Sequence, residues 1–125
     1  MCYLGSGLFL YMVFASLDVH LTMKGINGDV NLEGNPVIRH MLASFGILSG
    51  LIIEKALVLM ASLTISIVAF TGLEKKADWV YYLAFTHVTR NWMKRKKRYW
   101  VAFLPIYFVA LSQGLAAMSW IVLMK

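Results

Sequence analysis

The sequence predicts an all-α membrane protein with three transmembrane helices. Apolar residues make up 60% of the chain and the mean hydropathy is +0.69, more than a soluble domain of 125 residues can bury. Three apolar stretches are long enough to cross a bilayer, at about residues 3–23, 46–71 and 99–124. The length fits one domain, so residues 1–125 are predicted to form a single three-span unit.

The first apolar stretch, residues 3–23, has no basic segment before it and no clear cleavage site, which predicts a retained span rather than a signal peptide. Its polar residues lie near its C-terminal end. Asp18 and Thr22 share one helix face, whereas Ser16 and His20 lie about 160° away around the helix. Polarity on two sides predicts that water or a second protein covers this end.

The connection at residues 24–36 is polar and rich in turn residues. Within it, Asp29, Asn31 and Glu33 alternate as in the first half of a calcium-binding loop. The residue that should supply the closing glutamate of such a loop is His40. A solvated turn is therefore the favoured interpretation, and these three residues are only subsidiary candidates for a metal site.

The second span is preceded by a good helix start. Asn35 is a favourable N-cap, and Pro36 suits the first helical position because its missing N–H would be unpaired there. A helix from this point to the end of the apolar stretch would be about 54 Å long, too long for one straight crossing. Gly46 and the Ser49-Gly50 pair are the predicted places for a bend. We expect a short interfacial helix at about 36–45 that leads into the span at about 46–71.

Residues 72–98 combine aromatic residues with a basic cluster, and we predict an amphipathic helix at the cytoplasmic membrane surface. Eight lysines and arginines lie in this segment. The positive-inside rule therefore places it and the N-terminus in the cytoplasm. The cluster is predicted to bind anionic lipid headgroups or a protein partner, and not nucleic acid. It consists of Lys94, Arg95, Lys96, Lys97 and Arg98.

The third span, at residues 99–124, carries small residues at helical spacing. Ala110, Gly114 and Ala117 predict a face that another helix backbone can approach closely, either inside the bundle or in another subunit. Gln113 lies near the middle of this span and can bridge two helices.

Glu54 and Lys55 are the only charged residues in the second apolar stretch. A charged side chain at the middle of a span costs at least about 2.5 to 3.5 kcal/mol, so such residues find partners. Asp18 lies at a depth that the Lys55 side chain can reach from an adjacent antiparallel helix. We therefore predict an intramembrane ion pair with one carboxylate in excess. Associated polar residues are His20, Thr22 and Gln113.

Three short motifs resemble the pattern of a family of small prokaryotic integral membrane proteins of unknown function. They are Asp18-x-x-x-Thr22, Glu33-x-Asn35-Pro36 and Lys55, and the similarity covers about residues 10–60. The resemblance implies a three-span protein of a prokaryotic cell membrane in which these six residues act as a unit. It implies no activity, and it does not extend to the basic aromatic segment at residues 75–100.

The expected function is a non-catalytic small subunit or assembly partner of a larger membrane protein complex. Its partners would be the lipid bilayer and other membrane subunits or a second copy. The first alternative is an oligomeric ion or proton conduit that uses Asp18, Glu54 and Lys55. The second is a membrane enzyme or metal site at the outer membrane face. The sequence contains no catalytic motif, and no cofactor is expected.

Overall fold

The computed structural model describes residues 2–75, 79–80 and 99–124. Its helices are α1 (Cys2–Ile26), α2 (Pro36–Phe45), α3 (Ile47–Glu74) and α4 (Leu104–Leu123), with 3-10 turns at Val30–Leu32 and Tyr99–Phe103. The described residues contain no strand. Helices α1 and α3 and the segment Tyr99–Leu123 are each long and apolar enough to span a membrane. The predicted fold class, an all-α membrane protein with three spans, is confirmed.

Helices α1 and α4 run parallel and form the most extensive helix pair. At their N-terminal ends, the Tyr107 hydroxyl donates a 3.0 Å hydrogen bond to the main-chain oxygen of Tyr3. At their C-terminal ends, Gly25 lies directly against the Trp120 ring. Helix α3 runs in the opposite direction, since its N-terminal end follows α2 at the C-terminal end of α1. We call this end of the bundle, where α1 and α4 end and α3 begins, the loop end.

The predicted small-residue face of the third span lies inside the chain. Ala110, Gly114 and Ala117 are all buried in α4. A Cβ atom added to Gly114 would lie 3.3 Å from the Phe14 ring of α1, so the two backbones are close at this point. Close approach of this kind is how transmembrane helices gain packing energy without a hydrophobic driving force.

Gly46 separates α2 from α3 and produces the predicted bend. Its φ of 84° and ψ of 157° lie in a region that is open almost only to glycine. The chain reverses there, and α2 packs against the first turns of α3. A Cβ atom added to Gly50 would lie 3.0 Å from Leu42 and from the main-chain oxygen of Met41. The predicted short helix is present as α2, and its position at the membrane interface stays a prediction.

The helix bounds differ from the predictions in all three spans. Helix α3 continues to Glu74, three residues beyond the predicted end of the second span. Helix α1 continues to Ile26, because this residue is fully buried in a cluster with Leu42 and Leu51. The third span begins as the 3-10 turn Tyr99–Phe103, because an α-helix there would bring the Pro105 ring against a carbonyl four residues earlier. Most of the predicted amphipathic segment, residues 72–98, lies outside the described residues.

Candidate functional site

Lys55 on α3 forms a buried ion cluster with two carboxylates. Its Nζ atom lies 2.6 Å from Oδ2 of Asp18 on α1 and 2.6 Å from Oε2 of the adjacent Glu54. Only 11% of the Lys55 side chain and 5% of the Asp18 side chain are exposed. The structure thus brings together the three residues of the predicted ion pair. With both acids ionised, the cluster carries one negative charge in excess.

A regular row of buried residues on α1 turns Asp18 toward the other helices. The buried positions recur every three or four residues, which is the period of one helix face: Gly7, Tyr11, Ala15, Asp18, Thr22 and Ile26. Thr22 is therefore beside Asp18 in the interior. His20 lies two residues, or about 200°, further round and is exposed. The structure does not bring this predicted satellite residue to the ion cluster.

Tyr11 is a member of the site that sequence reasoning did not identify. Its side chain is buried, and its hydroxyl donates a 2.6 Å hydrogen bond to the main-chain oxygen of Lys55. It could have been identified from its spacing, because Tyr11 lies seven residues before Asp18 and therefore on the same face of α1. This hydrogen bond fixes the position of Lys55 along the axis of α1.

The ion cluster borders a polar cavity of about 380 Å³ near the loop end of the bundle. Five of the six residues of the family resemblance line this cavity: Asp18, Thr22, Glu33, Asn35 and Lys55. Glu54 and Gln113 also line it, so residues from α1, α3, α4 and the connection after α1 meet around one space. We call this space the polar cavity.

The Glu33-x-Asn35-Pro36 turn forms one wall of the polar cavity and starts α2. The Glu33 side chain accepts a 2.9 Å hydrogen bond from the main-chain N–H of Asn35. The Asn35 side chain in turn accepts a 3.0 Å bond from the N–H of Val37, as an N-cap does. Arg39 donates to the main-chain oxygen of Glu33 through its Nε, at 2.9 Å. Pro36 is the first residue of α2.

The subsidiary calcium candidates take part in local turn contacts. Oδ1 of Asp29 accepts hydrogen bonds of 2.9 Å from both the main-chain and the side-chain nitrogen of Asn31. Glu33, the third candidate, accepts a hydrogen bond from the N–H of Asn35 and also lines the polar cavity. In the part of the chain that the structure describes, no group of three or more His, Cys, Asp or Glu residues is arranged to hold a metal ion.

Two buried oxygen atoms at the polar cavity lack a hydrogen-bond donor among the described residues. They are Oδ1 of Asp18 and Oε1 of Gln113. Oε2 of Glu54 contacts the Lys55 ammonium as an ion pair without hydrogen-bond geometry. Buried polar atoms are paired in the great majority of cases, and these two acceptors keep the capacity to accept a hydrogen bond.

We compared the chain with protein-family models, curated proteins and solved structures. None of them matches it. The family resemblance therefore stays a prediction, and function has to be inferred from the geometry of the site.

A second space lies between α1 and α3 on the other side of Lys55. This groove has a volume of about 440 Å³ and a mostly apolar lining. The small residues Ala15, Ser16 and Ala56 line it, and Lys55 and Tyr11 also contribute to its wall. We call it the α1–α3 groove. Lys55 thus borders both spaces, and the first of them has the larger share of polar and charged lining residues.

The predicted basic patch directly precedes the third span. Lys94, Arg95, Lys96, Lys97 and Arg98 lie outside the described residues.

Proposed function

We propose that this protein is a non-catalytic subunit or assembly partner of a larger membrane protein complex, and that a transmembrane helix of the partner packs in the α1–α3 groove. The observation that carries this proposal is the groove itself, which no other described part of the chain fills. Helix α1 packs far more extensively on α4 than on α3. In a bilayer, the resulting space has to be occupied by a lipid chain or by another helix.

The lining of the groove favours a helix. Ala15, Ser16 and Ala56 present small side chains, which let a helix backbone approach closely and are enriched where transmembrane helices meet. A partner helix at this position would also cover the apolar stem of Lys55. That coverage would keep water and lipid away from the ion cluster, whose charges are costly in hydrocarbon unless protein surrounds them.

Exposed polar residues on α1 further support a protein partner. Ser16 and His20 are four residues apart, share one face and are both exposed in the single chain. Polar side chains in transmembrane helices usually face protein or water rather than lipid. Ser16 also lines the groove, so one partner could cover this face and the groove together.

A tryptophan in the groove tests the proposal. Ala56→Trp fills the groove, whereas Ala61→Trp places the same side chain at an exposed position of α3 outside it. Native membranes are dissolved directly into polymer-bounded lipid discs, and the mass of the tagged particle is measured. We expect the wild-type protein and Ala61→Trp to share a particle larger than one 14.1 kDa chain can account for, and Ala56→Trp to lose it.

Two results would contradict the proposal: a wild-type protein that is monomeric in discs made from its native membrane, or two tryptophan variants that assemble equally well. Co-expression of two differently tagged copies distinguishes self-association from association with another protein.

A second candidate function is an ion or proton conduit, and the surplus carboxylate of the ion cluster favours it. Three spans cannot enclose a pathway alone, so this function requires a symmetric oligomer. Proton or cation flux into liposomes should then change strongly when Lys55 is replaced by Met. Equal flux in the wild-type protein and the variant would remove Lys55 from such a pathway.

We further propose the orientation predicted from the basic residues, in a prokaryotic cell membrane with the N-terminus and residues 72–98 in the cytoplasm. The polar cavity then lies at the outer end of the bundle. Cys2, the single cysteine and an exposed one, is a natural probe. A membrane-impermeant maleimide added to intact cells should leave Cys2 unlabelled and should label Asn31→Cys in a Cys2→Ser background. The reverse labelling pattern would show that the chain has the opposite orientation in the membrane.

A further inference from the structure

The polar cavity contains more acids than bases. Three carboxylates line it, those of Asp18, Glu33 and Glu54, against the single ammonium of Lys55. The guanidinium of Arg39 donates to the main-chain oxygen of Glu33. With its acids ionised, the wall carries three negative charges against Lys55 and the adjacent Arg39, so one negative charge stays unbalanced and the site favours a positively charged occupant.

The unpaired atoms of the wall show which kind of contact such an occupant would make. Gln113 is only 7% exposed and Asp18 only 4%; both residues line the cavity, and each has one buried oxygen without a hydrogen-bond donor among the described residues. Both atoms are hydrogen-bond acceptors. An occupant that carries N–H groups as well as a positive charge would satisfy them, and a buried acceptor gains most from a charged donor.

The size and the apolar wall of the cavity point to an organic cation rather than a bare metal ion. About 380 Å³ lies within the range of small-molecule sites and is far larger than one ion needs. Leu51, Ile38 and Trp120 supply apolar surface around the polar groups. An indole ring is also the side chain that attracts organic cations most strongly.

The exposed part of the cavity lining shows where an occupant would enter. Leu32 in the connection and Leu123 at the end of α4 both line the cavity, and both are largely exposed. This mouth lies at the loop end, where the spans end and the headgroups of a bilayer begin. A ligand could therefore arrive from water or from the headgroup layer.

We propose that the polar cavity binds a primary ammonium group, carried either by a small free amine or by the headgroup of an aminolipid. The ammonium lies beside the side chains of Asp18 and Gln113, and the carbon body lies against the apolar wall beside Trp120. This binding site is independent of any partner in the α1–α3 groove.

The test uses the purified full-length chain in nanodiscs of phosphatidylcholine, which has no primary amine. The probe is 2-phenylethylammonium, and its affinity is measured by isothermal titration calorimetry. We expect binding that is at least about tenfold tighter than that of the neutral 2-phenylethanol, because the alcohol lacks the charged donor. Phenylacetate, an anion of similar shape, should bind no better than the alcohol.

A matched pair of variants locates the site. Gln113→Met removes the unpaired acceptor and leaves the ion cluster intact, so it should weaken amine binding about tenfold. Ser112→Ala changes the neighbouring exposed residue, whose hydroxyl bonds to Val109 of its own helix, and should bind like the wild type. If Gln113→Met aggregates, Thr22→Val removes another polar group of the cavity lining and should weaken binding about threefold.

Nanodiscs that contain phosphatidylethanolamine distinguish the two sources of the ammonium group, a free amine and an aminolipid. Competition by this lipid would lower the apparent affinity for the probe and identify the aminolipid as occupant. Unchanged affinity would identify a free amine.

The proposal is overturned if no amine binds in phosphatidylcholine discs, if 2-phenylethanol binds as tightly, or if Gln113→Met and Thr22→Val bind normally. It is also overturned if sodium or potassium displaces the probe more effectively than choline at equal ionic strength, since the site then takes inorganic cations.

Discussion

The hydroxyl of Tyr11 donates a hydrogen bond to the main-chain oxygen of Lys55 at 2.6 Å, while Asp18 binds the ammonium of the same lysine at 2.6 Å. Helix α1 therefore holds Lys55 at two points, its backbone and the end of its side chain. The two α1 residues are seven apart and lie on one face. Polar contacts thus fix the register of α1 against α3, although the backbones of these two helices approach each other at few points.

Removal of the Tyr11 hydroxyl should destabilise the bundle without unfolding it. Tyr11→Phe keeps the ring and loses one interhelical hydrogen bond, and such bonds contribute about 1 kcal/mol in membrane proteins. The free energy of unfolding, measured by titration with SDS in mixed micelles, should fall by that amount. Tyr3→Phe is the matched control, since Tyr3 is half exposed at the start of α1. Equal losses in both variants would contradict a specific role for the Tyr11 hydroxyl.

Replacement of Lys55 should harm the protein more than replacement of Lys55 and Asp18 together. Lys55→Met leaves two buried carboxylates without a cation, and breaking a buried pair in this way costs about 3 to 5 kcal/mol. Adding Asp18→Leu removes one of these charges, and adding Glu54→Gln removes the other. We expect the yield of monodisperse protein and its Tm to be lowest for the single variant and to rise with each addition.

The control for this series is Lys24→Met, at an exposed lysine of the last turn of α1. Its yield should stay close to that of the wild type. Equal yields for Lys55→Met and the double variant would show that the buried pair contributes no coupling energy.

A methyl group at Gly25 should disturb the contact between the C-terminal ends of α1 and α4. The added Cβ would overlap the six-membered part of the Trp120 ring, so the ring or the helix has to move. Overpacking of this kind costs about 1 to 3 kcal/mol. Gly25→Ala should therefore lower the thermal stability, and Trp120→Leu in the same chain should restore part of it. Gly5→Ala adds a methyl group in open space and should be neutral or slightly stabilising.

The parts of the structure that follow from helix geometry could be predicted from the sequence. The helical rise fixes the depths of Asp18 and Lys55 in a bilayer that both helices cross. These depths are similar enough for contact between the two side chains to be predicted. The break at Gly46 follows from the length of the apolar stretch. The start of α2 at Pro36 follows from the local chemistry of Asn35.

The parts that depend on which helices pack together could not be predicted. Ala110 and Gly114 indicate that some backbone comes close, but small residues accept any helix, so the parallel pairing with α1 was not determined. Tyr11 lies on the face of Asp18, yet an aromatic residue in a span is equally common facing lipid. The exposed position of His20 does follow from helix geometry, because this residue lies about 160° from Asp18 around α1.

The parallel pairing of α1 with α4 has a consequence for biosynthesis. Helix α1 emerges from the ribosome first, and its main packing partner emerges last. Before α4 is made, the contacts of Lys55 with Tyr11 and Asp18 can hold α1 and α3 together. The face of α1 that later packs on α4 is accessible to chaperones or to a helix of another protein during this time.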